Sequence, residues 1–184
     1  MIQKRLFHAN PQAMAAVPKR DKRPGELAHQ DVDADTWLTP MWLVDRLGVF
    51  DLDPCAAECN PNRIANSHFT KQHNGLAQEW TGRVFMNPPF SNTAPWLERH
   101  AAHGDGISLV PASVESKVWR RCVWPKAKAI LLLHGRTRFC NPDGSVTTGR
   151  PLRSIALIAW SDYDARILEG AGFAGVLLNS WRQQ

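Results

Sequence analysis

The sequence lacks the features that mark membrane and exported proteins. None of its apolar runs approaches the roughly 18 to 20 residues that a membrane-spanning helix needs. The opening residues, MIQKRLFHAN, contain no long apolar stretch of the kind found in secretory signals. We therefore expect a cytoplasmic protein.

Cysteine is scarce and shows no pairing pattern. The chain has four cysteines and no Cys-x-x-Cys pair, so a reducing compartment is the default expectation. Cys55 and Cys59 could join His68 and His73 as zinc ligands, but their spacings match none of the usual ligand patterns. We expect no metal site.

The positive charge is concentrated at the start of the chain. The formal net charge is +5, and residues 1–30 carry a net +4 of it. This stretch contains Pro11, Pro18 and Pro24 and has no helical or strand period, which predicts a flexible basic arm. Such an arm could be only solvated, or it could tether phosphates.

Residues 31–184 suffice for one globular domain, and their patterns alternate between strand and helix. Thr39 is predicted to cap the first helix, with Pro40 at its first position, and Pro125 to break the third. Predicted helices cover residues 40–47, 95–103, 113–123 and 162–169. Predicted strands cover residues 49–52, 83–86, 107–110, 129–133, 155–160 and 175–178.

This alternation predicts an open α/β sheet, in which ligands bind at the carboxyl ends of the strands. Asp53-Pro54 follows the first predicted strand, and Asn87-Pro88-Pro89-Phe90 follows the second. Prolines cannot continue a strand ladder, so the chain must turn at both places. Both motifs are therefore placed where a ligand is expected.

The four residues from Asn87 to Phe90 suit the chemistry of a flat amine. An exocyclic amine on a purine is a poor nucleophile because its lone pair is delocalised into the ring. The Asn87 side-chain oxygen and the Pro88 carbonyl can accept from such an NH2 group and favour a more tetrahedral nitrogen. Pro88 and Pro89 stiffen the turn, and Phe90 offers a face for stacking. Alternatively, the turn only ends a strand.

Six elements in one order resemble the phage-type DNA N-6-adenine methyltransferase (Dam) family. The Asn87–Phe90 motif resembles that family's [Asn/Asp/Ser]-Pro-Pro-aromatic catalytic motif. The other elements are Trp37-Leu38-Thr39-Pro40, Leu52-Asp53-Pro54-Cys55-Ala56, Asn74-Gly75-Leu76 with Trp80, Leu109-Val110-Pro111-Ala112 and Gly135-Arg136-Thr137-Arg138-Phe139.

The resemblance implies a Rossmann-like methyltransferase fold, with a mixed, mostly parallel sheet covered by helices on both faces. It also implies S-adenosylmethionine as cofactor and direct transfer of its methyl group to N6 of adenine in DNA. The cofactor-binding residues that it implies are Trp37, Thr39, Pro40, Asp53, Pro54, Cys55, Ala56 and Asn74. It further favours a phage or prophage origin, with the protein acting inside a bacterial host cell.

Two residues depart from the usual pattern of that family. Asn74 stands where relatives commonly have aspartate; its amide can still bond an adenine edge but adds no charge. Phe90 replaces the commoner tyrosine, which preserves stacking and loses only the hydroxyl. A glycine-rich dinucleotide loop after Asp53-Pro54 is also missing, so cofactor binding is implied by the resemblance alone.

Contacts with DNA are assigned to basic residues in the last third of the chain. Arg136 and Arg138 are two apart in a strand-like segment and so share a face. With Arg150, at the end of the polar loop 141–150, they could follow a phosphate backbone. The alternative is ordinary solvated surface charge.

Tryptophan is abundant, with eight residues. Trp96, Trp119, Trp124 and Trp160 lie in helical or strand periods, where burial is the better interpretation. Trp37 and Trp80 lie beside motif residues, and for these two burial and substrate stacking are equally favoured.

Other functions are also consistent with the sequence. An Asn-Pro-Pro-aromatic motif also serves methyltransferases that act on guanine N2 in RNA, on cytosine N4 and on protein glutamine. A catalytically silent DNA-binding module is an alternative from another class. The sequence does not define a target site, because it has no long insertion that would form a separate recognition domain.

Overall fold

The computed structural model describes residues 37–58, 60, 63–135, 137, 139–140 and 154–181. The predicted basic arm at residues 1–30, the loop 141–150 and Cys59 lie outside the described residues. So do Arg136, Arg138 and Arg150, the three predicted DNA contacts. The described residues all belong to one compact unit, Val32–Gln184.

A seven-stranded mixed sheet forms the centre of this unit, in the order β2-β1-β3-β4-β6-β5-β7. Its strands are β1 (Phe50–Asp53), β2 (Ala65–His68), β3 (Val84–Met86), β4 (Gly106–Pro111), β5 (Ala129–Leu133), β6 (Ile155–Ala159) and β7 (Gly175–Leu178). The ladders joining β2, β1, β3 and β4 are parallel, and those joining β4, β6, β5 and β7 are antiparallel. Strands β1 to β5 therefore point one way, and β6 and β7 are reversed.

Helices cover both faces of the sheet. One face packs against α1 (Met41–Val44) and α4 (Asp162–Gly170), with Phe85, Leu109 and Leu157 buried between. The other packs against α2 (Ala94–His103), a π-helical turn (Trp119–Val123) and α3 (Trp124–Lys126). Successive residues of a strand point to opposite faces, so the continuous apolar runs of β3 to β6 supply both cores.

A buried ion pair joins the amino-terminal ends of β3 and β4. The Arg83 Nε donates to Asp164 at 2.7 Å, and the other Asp164 oxygen accepts from the Gly106 backbone amide at 2.8 Å. The Arg83 guanidinium also lies 4.1 Å from the Phe50 ring. These contacts fix the edge of the sheet opposite to the two proline motifs.

A second set of buried polar side chains forms a hydrogen-bond network beside β4. The Trp160 indole N–H donates to the Ser108 hydroxyl at 2.8 Å, and that hydroxyl lies 2.8 Å from His100 Nδ1. His100 Nε2 lies 3.0 Å from the Asp105 carbonyl. Burial lowers the pKa of His100 to about 3, so the imidazole is neutral and structural.

The structure differs from the predicted elements in several places. The first helix is shorter than the predicted 40–47: Pro40 is extended and is the N-cap rather than the first helical residue, and residues 45–47 form a turn. Strand β2 was not predicted, because its sequence Ala-Asn-Ser-His is polar and lies at an edge of the sheet. The prediction that Pro125 breaks the third helix was wrong. The chain forms a π-helical turn before Pro125 and stays helical to Lys126. Thr39 does not cap α1, which begins at Met41 after Pro40. None of the described helices is long and apolar enough to cross a membrane.

Candidate active site

The two proline motifs lie side by side at the carboxyl edge of the sheet. Strands β1 and β3 are parallel neighbours, with Leu52 paired with Val84, so Asp53 and Asn87 follow at the same edge. The chain passes from β1 to β2 on one side and then to β3 on the other. This change of direction is a topological switch point, the place where open α/β sheets bind their ligands.

The Asn87 amide is held in one orientation. Its Nδ2 donates to the Trp37 carbonyl at 2.9 Å and to the Thr39 hydroxyl at 3.0 Å. A backbone carbonyl only accepts, so the nitrogen must face Trp37 and the amide cannot be flipped without losing a bond. Among the described residues, Oδ1 has no hydrogen-bond partner, and it is left as a free acceptor.

Three aromatic rings lie around this amide. The Phe90 ring packs edge-on against Phe139 at 5.6 Å, and Phe139 lies 6.5 Å from the Trp37 ring. Phe139 is buried, whereas Phe90 is partly buried and Trp37 is exposed. Phe90 thus rests on a buried ring while keeping some of its own surface accessible.

A short backbone bridge brings these rings together. Leu38 and Cys140 exchange two hydrogen bonds of 3.0 Å, N–H to carbonyl in both directions. The bridge holds the segment before α1 against the segment after β5. It places Trp37 and Phe139 beside Phe90 although they are distant in sequence.

Asp53 is a buried carboxylate at the end of β1. It is 5% exposed, and none of the described lysines or arginines forms an ion pair with it. Burial raises its pKa to about 7, although the Cys55 backbone amide, donating at 3.1 Å, opposes the shift. A buried carboxylate of this kind is stabilised by a cationic ligand.

The buried Cys55 thiol is influenced by both motifs, through the Asp53 carboxylate and the Asn87 backbone amide. Burial and the charge of Asp53 raise the pKa of Cys55 well above its usual value. The thiol is therefore protonated at neutral pH.

The loop at Asn74 and Gly75 closes over the turn after β1. A side chain on Gly75 would place its Cβ 1.9 Å from the Pro54 carbonyl oxygen, so only glycine fits there. Trp80 is buried and donates to the Gly75 carbonyl at 2.8 Å. Of its two interpretations, burial is therefore correct and substrate stacking is not. Asn74 is left-handed, with φ of 49°, a conformation that asparagine and aspartate tolerate better than most residues.

The structure brings most of the predicted site residues together. Asn87 contacts Thr39, and Asp53 ends the strand next to β3. The Ala56 amide joins the turn after Asp53 to the Phe69 carbonyl at 2.9 Å. Asn74 is exposed on the neighbouring loop. Sequence reasoning assigned no role to Phe139; its place in the sixth resembling element was the available signal. The bond from Asn87 to Thr39 had no signal in the sequence.

Comparison with known proteins gives a consistent result. Residues 28–168 match the family described as DNA N-6-adenine-methyltransferase (Dam). A DNA N-6-adenine-methyltransferase of Haemophilus phage HP1 (strain HP1c1) is 30% identical over 122 residues, covering 60% of this chain and 69% of the relative. No solved structure matches significantly. Since the family match spans well over half of the sequence, the chain belongs to the Dam family of DNA N-6-adenine-methyltransferases.

Proposed function

We propose that this protein transfers a methyl group from S-adenosylmethionine to N6 of adenine in DNA. The observation that carries the proposal is the orientation of Asn87. Both contacts of its NH2 group are made to protein acceptors, so Oδ1 is directed away from them, and no described residue donates to it. A substrate amine needs this kind of acceptor, and a turn that only ended a strand would not need it fixed.

The Pro88 carbonyl is the proposed second acceptor. Pro88 and Pro89 have no backbone N–H and fix φ, so the turn presents its carbonyls with little freedom. Two acceptors on one amine would draw its hydrogens apart and localise the nitrogen lone pair. Fixed dipoles of this type stabilise developing charge without reorganising during the reaction.

Phe90 is the proposed stacking surface for the adenine ring. In a duplex the target base has to leave the helix, which costs a few kcal/mol. Stacking on an aromatic side chain contributes about 1 to 3 kcal/mol per base and offsets part of that cost. Support for this role comes from Phe139, which holds the Phe90 ring edge-on from its buried side.

Asp53 is the proposed binding group for the cofactor. When bound, S-adenosylmethionine supplies a methyl group activated by a sulfonium. The Asp53 carboxylate, buried with no described cation beside it, matches the positive charge of such a ligand. Trp37, Thr39, Pro40, Pro54, Cys55, Ala56 and Asn74 are proposed to shape the surrounding site.

The proposed reaction needs orientation more than proton transfer. Asn87 and Pro88 hold the amine in line with the methyl donor, and a well-oriented pair gains several kcal/mol over free reactants. The amine sheds a proton readily once it is methylated, so no strong base is required. His100, buried and neutral beneath the sheet, is not available as one.

The finer fold assignment and the biological setting belong to the same proposal. A Rossmann-like methyltransferase fold is supported by the switch point between β1 and β3 and by helices on both faces of the sheet. We also propose that the protein acts in the cytoplasm of a bacterial host, encoded by a phage or prophage. Arg136, Arg138 and Arg150 stay proposed DNA contacts.

Transfer of a labelled methyl group tests the function. Purified protein is incubated with methyl-labelled S-adenosylmethionine and, separately, with DNA, RNA and protein. The proposal predicts label in DNA, recovered as N6-methyladenine after digestion, at an initial rate that falls by about 100-fold or more with Asn87→Ala. Label recovered only as N2-methylguanine, N4-methylcytosine or methylglutamine would replace the adenine assignment. Absence of cofactor binding by calorimetry would favour a silent DNA-binding module.

A further inference from the structure

A second concave surface lies on the same edge of the sheet as Asn87. It is a cleft of about 530 Å³ beside the carboxyl end of β5, within the range of about 300 to 1,000 Å³ typical of small-molecule sites. Its walls come from α1 and the turn that follows it, from the residues after β5 and from the turn before β7. The side chains that matter are Trp42, Arg46, His134, Thr137 and Phe173.

An aromatic pair and a fixed cation form the floor of this cleft. Trp42 is 50% exposed, and its ring packs edge-on against Phe173 at 6.1 Å. The Arg46 guanidinium lies 5.9 Å from the Trp42 ring and 5.5 Å from the Phe173 ring, and it donates to the Gly172 carbonyl at 3.1 Å. The charge is therefore held beside exposed aromatic surface.

The chemistry of the lining favours an anionic, planar ligand. The described residues that line the cleft include Arg46 and His134 and no aspartate or glutamate. A large exposed aromatic face next to a guanidinium is the combination that single-stranded nucleic acid sites use, with the base on the ring and the phosphate on the cation.

Two segments of the chain link the cleft to the candidate active site. Helix α1 begins directly after Thr39 and Pro40, and Thr39 accepts from Asn87. On the other wall, Thr137 lies two residues before Phe139, whose ring contacts Phe90. Both segments therefore place a cleft residue within three positions of a residue that contacts Asn87 or Phe90.

We propose that this cleft binds a nucleotide that flanks the target adenine, its base stacked on Trp42 and its phosphate paired with Arg46. The inference rests on the proposed DNA substrate and extends it to a second nucleotide site. Extruding one base removes a stacking partner from its neighbours, and Trp42 replaces that partner. The site also gives the compact chain a means of reading or steadying the DNA beside its target.

Three variants test the site, one of them a matched control. Trp42→Ala removes the stacking surface and Arg46→Gln removes the charge. The control is Tyr163→Ala, since Tyr163 is likewise exposed at 53% and likewise lies near an arginine, Arg83 at 5.2 Å. It stands on α4, whose Asp164 contacts the opposite edge of the sheet.

The readouts separate DNA binding from the remaining functions. We expect Trp42→Ala to weaken binding of a short duplex containing a methylatable adenine by about tenfold, measured by fluorescence anisotropy. Arg46→Gln should reduce the slope of log affinity against log salt concentration by about one, the value expected for the loss of one phosphate contact. In both variants KM for DNA should rise, while kcat at saturating DNA and the calorimetric affinity for S-adenosylmethionine stay near wild type. Tyr163→Ala should change none of these.

A double-mutant cycle that combines protein variants with changes in the DNA identifies the nucleotide that stacks on Trp42. Single abasic sites are placed in turn at positions flanking the target adenine. Wild type should lose affinity at one of them by a factor similar to that of Trp42→Ala, and the Trp42→Ala protein should lose no more there. Trp42→Phe, which keeps a ring, should restore most of the binding and controls for any damage to folding.

Three outcomes would overturn the inference while leaving the proposed function intact. They are wild-type DNA affinity in Trp42→Ala and Arg46→Gln, equal losses in the Tyr163→Ala control, and an additive effect of Trp42→Ala at every abasic position. If wild type itself transfers no methyl group to DNA, the proposed function fails first. The two failures are therefore distinguishable.

Discussion

Replacing Thr39 with valine tests the amide orientation on which the proposed chemistry depends. The substitution keeps the branched shape of a buried side chain, 4% exposed, and removes its hydroxyl. Asn87 Nδ2 then loses the acceptor at 3.0 Å and keeps only the Trp37 carbonyl at 2.9 Å. The amide is less firmly held, and Oδ1 spends less time facing the substrate.

The size of the effect follows from the single bond removed. A hydrogen bond of this kind contributes about 0.5 to 1.5 kcal/mol net. Since about 1.4 kcal/mol corresponds to tenfold in rate, kcat should fall by about two- to twelvefold in Thr39→Val. Asn87→Ala removes the acceptor itself and should cost about 100- to 1,000-fold. The loss in Asn87→Ala should therefore exceed that in Thr39→Val by about eightfold or more.

Steady-state methyl transfer with saturating cofactor and DNA measures this directly. Thr39→Ser keeps the hydroxyl and should retain nearly all of the wild-type kcat, which makes it the matched control. Calorimetric affinity for S-adenosylmethionine shows whether Thr39 also contacts the cofactor. Wild-type kcat in Thr39→Val, or an equal loss in Thr39→Ser, would refute the role given to this bond.

Four further predictions concern cofactor binding and stability. Because burial raises the pKa of Asp53 to about 7, binding of a cationic cofactor below that pH should release a proton. Affinity for the cofactor should therefore fall as the pH is lowered from 7 towards 5. Calorimetry in buffers of different ionisation enthalpy measures the released proton. If no proton were released, Asp53 would not be the binding group. For the same reason, the cofactor-free protein should lose stability as the pH rises from 3.8 to about 7, since only the folded state keeps the proton there. Gly75→Ala forces a Cβ against the Pro54 carbonyl and should lower the free energy of unfolding by about 1 to 3 kcal/mol; an unchanged urea midpoint would contradict the close contact. Asp164→Ala leaves Arg83 buried without its partner and should cost about 3 to 5 kcal/mol in the same assay, whereas a loss below 1 kcal/mol would mean that the pair is dispensable.

The backbone of the candidate site could be predicted because its signals are local. A short apolar strand followed by proline marks a strand end wherever it occurs, so Asp53 and Asn87 could be assigned to the carboxyl edge. That the two strand ends are neighbours could not be predicted in the same way, because the sheet order β1-β3 depends on the crossover through β2. That strand is polar and lies at the edge, so its sequence carries little apolar alternation to detect.

The contacts within the site could not be predicted, because they join segments far apart in the chain. Thr39 has the residue type of a helix cap, and only the position of Asn87 gives its hydroxyl another partner. The Leu38–Cys140 bridge, which brings Phe139 to Phe90, spans more than half of the sequence. Asn74 is a partial exception, because its residue type suits the left-handed turn that the structure shows.

The most direct test of the central claim is the identity of the methylated product. Genomic DNA from cells expressing the protein is digested to nucleosides and analysed by mass spectrometry, beside DNA from cells expressing Asn87→Ala. The proposed function predicts N6-methyladenine with the wild-type protein and background levels with the variant. Unmodified adenine with both proteins, or N6-methyladenine at equal levels with both, would contradict the role assigned to Asn87 and the activity built on it.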